Sequence, residues 1–373
     1  MEENFQVRNI FDEEAVDQLA QRLRKVWHEF DAHGFCRSIH PKLKTLTFSE
    51  RNNLIRDTLW EYLPREYPHA LRIILNALPP ELPDCDISGF GNFIIMPQND
   101  YVAKYGLEHY DLSIQALYQM TKRFTAEGAI RPFLQKYPRK TLAILSEWAE
   151  DENCHVRRLV SEGTRPRLPW AMQLKQFIED PGPVLDLLET LKTDRVLMVR
   201  RSVANNLNDI AKDHPDLVVK TLDRWKRIED EGTQWLIRHA ARTLVKQGNK
   251  GILTILGYSP KVDIHVSKIK LGKASLKMGE KLDFAFEVKS TSKQIQTLVI
   301  DYIVHHVKAN GKRTPKVFKL ADKTLEPGQA IKISKAHSFR PITTRRYYPG
   351  RHALEIQVNG TSYQKIDFEL RVQ

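Results

Sequence analysis

Nowhere in its 373 residues does the chain run to 18 consecutive apolar side chains, so no helical membrane span is expected. The first residues, MEENFQVRNIFDEEAV, are acidic and mixed, without the apolar core of a secretory leader. Cysteine is scarce. Cys36, Cys85 and Cys154 are odd in number and far apart, which predicts a reducing, cytosolic setting with neither a disulfide framework nor a cysteine-type zinc site. No other zinc spacing occurs. The adjacent pair His305-His306 sits in an alternating stretch, which sends the two rings to opposite faces and makes a poor metal site. The glycines of SGFGNF (88–93) lack the strand-to-helix setting of a phosphate loop. Neither a metal nor a nucleotide cofactor is expected.

The first 260 residues also lack net charge. Of 58 Lys+Arg and 46 Asp+Glu, 36 of each sign precede Lys261, and 22 basic against 10 acidic residues follow it. The entire surplus of +12 therefore lies in the last third. A modest basic bias serves solubility, but one concentrated in a single module is also the electrostatic footprint of a polyanionic partner.

Periodicity changes at the same place. In DEEAVDQLAQRLRKVWHEF, the residues Val16, Leu19, Leu23, Val26, Trp27 and Phe30 recur at spacings of three and four, the signature of an amphipathic helix. RNNLIRDTLWEYL and PHALRIILNAL read the same way. After residue 260 the stretches KLDFAFEV, TLVIDYIVHHV, AIKIS, HALEIQV and KIDFELRV alternate apolar and polar. Asn310-Gly311, Pro327-Gly328, Pro349-Gly350 and Asn359-Gly360 punctuate them as turns. About seven short strands in the last ~110 residues fit an immunoglobulin-like β-sandwich, here without a Cys-Trp-Cys signature.

An internal repeat refines the helical part. DENCHVRRLVSEG (151–163) aligns with DRVLMVRRSVANN (194–206), and more weakly with EGTQWLIRHAART (231–243). Such spacing belongs to helix pairs of the HEAT kind, which stack as a solenoid. The expected fold is thus an all-α HEAT-like helical-repeat solenoid over 1–257, followed by an all-β immunoglobulin-like sandwich over 262–373. At 100° per residue Val156, Leu159 and Val160 face the core, as do Val199 and Val203. In register, Arg157, Arg200 and Arg238 form one row, and Arg158, Arg201 and His239 a second. Guanidiniums in rows suit a phosphate backbone. The bland alternative is a solvated helix face, with Arg158 and Glu162 as an i,i+4 ion pair.

The first repeat ends in SEGTRPRLPW (161–170). Gly163 reads as the helix stop. Pro166 and Pro169 keep Arg165 and Leu168 extended, so the loop is stiff and presents Arg165, Arg167 and Trp170.

On LPREYPHALRIILNALPPEL, RFTAEGAIRPFL and above all SEWAEDENCHVRRLVSEGTRPRLPWA, the helical part resembles the AlkC/AlkD superfamily of HEAT-like-repeat alkylpurine DNA glycosylases, and its AlkC branch in particular. The trailing sandwich resembles the immunoglobulin-like extension of some members of that branch. Where the AlkD branch carries a tryptophan-aspartate pair this chain has FTAEGAI, with Glu127 near the same place.

The resemblance implies hydrolysis of the N-glycosidic bond of cationic alkylated bases in duplex DNA, the opening step of base excision repair. 3-Methyladenine is the first candidate, with 3-methylcytosine and 7-methylguanine as the others. Alkylation already makes such a base a good leaving group, so the enzyme must mainly stabilise an oxocarbenium-like sugar and place a water. Glu162 is the expected catalytic carboxylate, Trp170 the aromatic face against lesion or sugar, and Glu127 and Asp209 the groups for water placement and electrostatics. DNA contacts are expected from Arg157, Arg158, Arg165, Arg167, Arg200, Arg201 and Arg238, and from Arg345 and Arg346 in the basic sandwich. That sandwich is expected to fold over the DNA as part of a clamp. The partner is double-stranded DNA, and the protein is expected to be a monomer in the cytoplasm, away from membranes. Against this stand structural readings: Trp170 capping the next helix, Asp209 as a salt-bridge partner, Glu127 as a helix-end residue. A non-catalytic HEAT-repeat scaffold that binds DNA or protein is the alternative function.

Overall fold

A computed structural model describes residues 6–83, 85, 92–259, 261–342 and 345–372. Ser88–Gly91 of the glycine-bearing SGFGNF stretch lie outside the described residues. Among the described residues, sixteen α-helices precede nine β-strands. Helix ends at Ile255 and strand begins at Ile264. None of the helices is long and apolar enough to cross a membrane.

Packing divides the chain differently from element type. One compact unit comprises Met1–Asp213 with Ile228–Ala240, and the other His214–Arg227 with Ala241–Gln373.

In the first unit the repeat is real. The helices Cys154–Gly163 and Leu197–Ile210 pack together, and Leu197–Ile210 packs in turn on Glu231–Ala240. Val156, Leu159, Val160, Val199, Val203 and Leu236 are fully buried, as the 3.6-residue period requires. Each helix begins beside an aspartate. Asp151, Asp194 and Asp230 accept hydrogen bonds from the backbone N–H of Asn153, Val196 and Thr233 at 2.7, 2.8 and 2.6 Å, which satisfies donors that a helix start leaves unpaired.

Two expectations need correction here. Cys85 and Cys154, 69 residues apart in sequence, are joined as a disulfide. Wide spacing along a chain says nothing about distance once helices pack, and only Cys36 is a free thiol. Gly163, in turn, is the last residue of its helix rather than the stop beyond it. Thr164 closes the helix, its hydroxyl donating to the Val160 carbonyl at 2.7 Å. A Cβ on Gly163 would lie 2.7 Å from the Ile130 side chain, so glycine is needed there for close packing.

In the second unit the strands are β1 (Ile264–Val266), β2 (Lys270–Leu271), β3 (Ser275–Lys277), β4 (Lys281–Ser290), β5 (Gln296–Val307), β6 (Arg313–Leu325), β7 (Ala330–Ser338), β8 (Gly350–Val358) and β9 (Thr361–Arg371). β4 pairs with β1, β2 and β7 in one sheet, and β3-β9-β8-β5-β6 form the other. All pairs are antiparallel except β3 with β9. The sheets bury Phe284, Phe286, Val288, Ile300, Val304, Phe339, Leu354 and Ile356 in an immunoglobulin-like core. β6 escaped the alternation pattern because it is a sheet edge, rich in exposed Lys and Arg, which discourages pairing with another chain.

Three histidines enter this core. His306, His337 and His352 are buried, with the His306 ring 6.3 Å from His337 and 5.8 Å from His352. Burial, with Arg345 nearby, pushes His306 down to about 3, and burial pushes His337 down to about 4. Both are neutral in the folded protein, and the unfolded chain takes up their protons first as pH falls. Their contribution to stability is complete above about pH 6.5 and is lost as pH drops toward about 4 and then 3. The urea midpoint of the β-rich unit is expected to fall across that window, and less steeply in His306→Phe. A midpoint independent of pH there would refute the account.

Candidate active site

The site forms where the first two repeats meet the segment before the Arg131–Lys136 helix. Asn153 starts the Cys154–Gly163 helix, its side chain accepting from His155 N–H at 2.9 Å. Arg158 and Glu162 then lie one turn apart on the same face, and Arg165 follows just past the helix end.

Three carboxylates and three cations alternate there. Arg158 donates to Glu127 Oε2 at 2.7 Å and lies 3.9 Å from Glu162 Oε2. Arg165 bridges Glu162 Oε1 at 2.5 Å and Asp209 Oδ2 at 2.8 Å. Lys212 reaches Asp209 Oδ1 at 2.7 Å, and Ser202 donates to Glu162 Oε2 at 2.6 Å. Thr125 donates to Glu127 Oε2 at 2.8 Å.

Burial by itself would raise the pKa of Glu162. The Arg158 and Arg165 guanidiniums and the Ser202 hydroxyl outweigh it and hold the carboxyl below its ordinary range. Glu162 is therefore a buried carboxylate kept ionised. Access differs along the chain of charges: the side chain of Glu127 is 24% exposed, against 7% for Glu162 and 3% for Asp209. Glu127 is the most open of the three carboxylates.

Arg131 fixes the adjoining loop. Fully buried, it donates to the carbonyls of Gly163 and Arg165 at 2.8 Å each and of Met172 at 2.7 Å. The loop therefore starts and returns on one guanidinium. At its tip Trp170 is 80% exposed and adopts φ +60°, a left-handed conformation that costs a non-glycine residue roughly 1–2 kcal/mol. It is no helix cap buried in the core. Its ring lies 5.8 Å from Phe48, which continues to Phe93 and Phe124 in an aromatic row. Sequence reasoning missed Arg131, although it lies inside the quoted RFTAEGAIRPFL, and missed Phe48, for which no local pattern speaks.

The structure corrects the arginine rows. Arg157 is buried and turned inward, donating to Asp194 at 2.6 and 3.2 Å and to the carbonyls of Asp151 and Glu152. Arg200 repeats part of this, donating to the Asp194 carbonyl at 2.6 Å. Arg157 thereby braces the first repeat against the second and has no free donor face for phosphate, whereas the Arg200 bond stays within its own repeat. Arg165 is held between Glu162 and Asp209 and is likewise internal. Arg158 belongs to the charge chain. Arg167 pairs with Asp213 at 2.9 Å on a partly open surface, a bond weak enough to exchange. Arg201 and Arg238 are exposed.

In the β-rich unit Arg345 also turns inward, donating to His306 Nε2 at 2.8 Å, and Tyr347 is buried. Arg346 is exposed, its guanidinium 5.5 Å from the Tyr348 ring. Thr343 and Thr344 of this stretch lie outside the described residues.

A buried carboxylate is thus held ionised next to the loop that exposes Trp170, and the comparisons define the class. Residues 114–244 match the family model of the DNA alkylation repair enzyme, and residues 265–372 that of the C-terminal Ig-like domain of the uncharacterised protein YhaZ. The chain belongs to the AlkC branch of the HEAT-like-repeat DNA alkylation repair enzymes, with a C-terminal Ig-like domain. It is 38% identical to the uncharacterised protein YhaZ of Bacillus subtilis (strain 168) over 98% of this chain and 99% of that one. It is also similar to the Pseudomonas fluorescens alkylpurine DNA glycosylase AlkC bound to DNA containing an abasic site analog. That match has 37% identity and a TM-score of 0.90, and covers 98% of this chain and 99% of the other.

Proposed function

We propose that this chain hydrolyses the N-glycosidic bond of cationic alkylated bases in duplex DNA, 3-methyladenine foremost, and thereby opens base excision repair. The observation that carries the proposal is the ionised Glu162, clamped by Arg158 and Arg165 next to the loop that exposes Trp170. A base carrying positive charge leaves as a neutral molecule, so no acid is required at the leaving group. Charge then develops on the sugar, where a fixed carboxylate lowers the barrier without reorganising. Three acids and three bases cancel overall, so the local field depends on which group is nearest. The open group is Glu127, which orients the water that attacks C1′ and accepts its proton. Asp209, closed off by Arg165 and Lys212, acts by holding Arg165 in place. Trp170 offers its face to the cationic lesion or sugar.

On this reading the part over 1–257 carries the chemistry and the basic part over 262–373 adds hold on the DNA. Incubating the full chain with methylated duplex DNA and identifying released bases by chromatography tests it. Release of 3-methyladenine is expected. Binding without release of any base would favour the non-catalytic scaffold.

The exposed arginines carry a second expectation. Arg201→Ala, Arg238→Ala and Arg346→Ala should each weaken duplex binding equally for all sequences and lower the salt slope by about one unit. Arg157→Ala should leave that slope unchanged. A lower slope in Arg157→Ala would restore it as a phosphate contact.

A further inference from the structure

Cys36, His40 and Asp17 take no part in the charge chain described above. Cys36 and His40 stand four residues apart on the Ala32–Leu43 helix, so their side chains project one turn apart from one face. Asp17 comes from the adjoining Glu13–Val26 helix, which packs against it. One oxygen of Asp17, the Cys36 sulfur and a His40 ring nitrogen all lie within 4.8 Å of one another. His40 Nε2 is 3.3 Å from Asp17 Oδ1, is shielded from solvent, and has no hydrogen-bond partner.

We propose that Asp17, Cys36 and His40 form a zinc site that staples the first two helices, with water as the fourth ligand. The donor set selects the metal. One sulfur, one imidazole nitrogen and one carboxylate oxygen are the three ligand types that tetrahedral zinc accepts, whereas magnesium and calcium require oxygen throughout. Three protein ligands leave one coordination position, and Asp17, with its side chain 47% exposed, opens that side to water. The inference is independent of the glycosylase reading, because its readout is metal binding and helix stability.

The test uses the tag-free full chain, stripped of metal and titrated with Co2+ and then Zn2+. One equivalent of Co2+ is expected to give a thiolate charge-transfer band and tetrahedral d–d absorption, which Zn2+ then abolishes. Zn2+ should raise the melting temperature. Cys36→Ser should lose the charge-transfer band, and His40→Ala and Asp17→Ala should each weaken Zn2+ binding by more than about tenfold. The double variant Cys85→Ser/Cys154→Ser should keep the band, which excludes those thiols as its source. All variants are compared metal-free by far-ultraviolet circular dichroism. A band that survives Cys36→Ser, or no saturable binding by the wild-type chain, overturns the proposal. So does Zn2+ affinity unchanged in both His40→Ala and Asp17→Ala.

Discussion

Glu162→Gln is expected to slow base release by about 100-fold or more, the scale of losing one fixed electrostatic stabiliser, while folding stays nearly intact. The substitution removes charge but little else. The amide oxygen still accepts from Arg165, and the amide NH2 can donate to Ser202, whose hydroxyl both gives and takes hydrogen bonds. Arg158 keeps Glu127, and Arg165 keeps Asp209. Affinity for undamaged duplex should change little, because Glu162 is too buried to meet the backbone. Single-turnover release of 3-methyladenine is the measurement, since it separates chemistry from product release. An unchanged rate would remove Glu162 from the chemistry and leave Glu127, the most open of the three carboxylates, as the one that matters.

The largest effect on stability is expected from Arg165→Met. Arg165 neutralises two buried carboxylates at once, Glu162 at 2.5 Å and Asp209 at 2.8 Å. Methionine keeps the stem and deletes the charge. Breaking a buried pair from one side typically costs about 3–5 kcal/mol, because the stranded charge has no solvent to turn to. Lys212 still holds Asp209, so Glu162 is the group left most exposed to the loss.

The pH dependence has a definite sign. In the wild type Glu162 is held below its ordinary range, so its contribution is present above the unfolded value and disappears as pH falls through the folded one. Removing Arg165 removes part of that contribution. The gap between wild type and variant should therefore be widest near neutrality and close on acidification. Adding Glu162→Gln should recover part of the loss. Urea denaturation at several pH values checks each point. If Arg165→Met matched the wild type in stability and merely weakened DNA binding, Arg165 would be a phosphate contact after all.

The sequence by itself determined the repeat, the switch from helical to alternating periodicity near residue 260, and the confinement of surplus positive charge to the last third. These are local or compositional properties, and the forces behind them act over one or two turns of helix or one step of a strand. It also singled out the segment that holds Glu162 and Trp170, because a helix ending in a proline-stiffened, arginine-bearing loop is unusual on its own terms. What each arginine does was decided only by tertiary structure. Arg157 and Arg158 are neighbours in a Val-Arg-Arg triplet, about 100° apart on the helix. One meets Asp194 of the next repeat and disappears into the bracing between repeats, and the other meets Glu127 from an earlier segment and enters the site. The same applies to Arg345, which reads as a groove contact until His306 is placed beside it. Cys85 and Cys154 follow suit: 69 residues apart in the chain, their α-carbons are 6.1 Å apart in the fold. A periodic pattern specifies the face on which a side chain lies. The charge or thiol that waits opposite is set by packing between segments far apart in sequence, and that decides whether a cation braces the fold, tunes a carboxylate or remains free for phosphate.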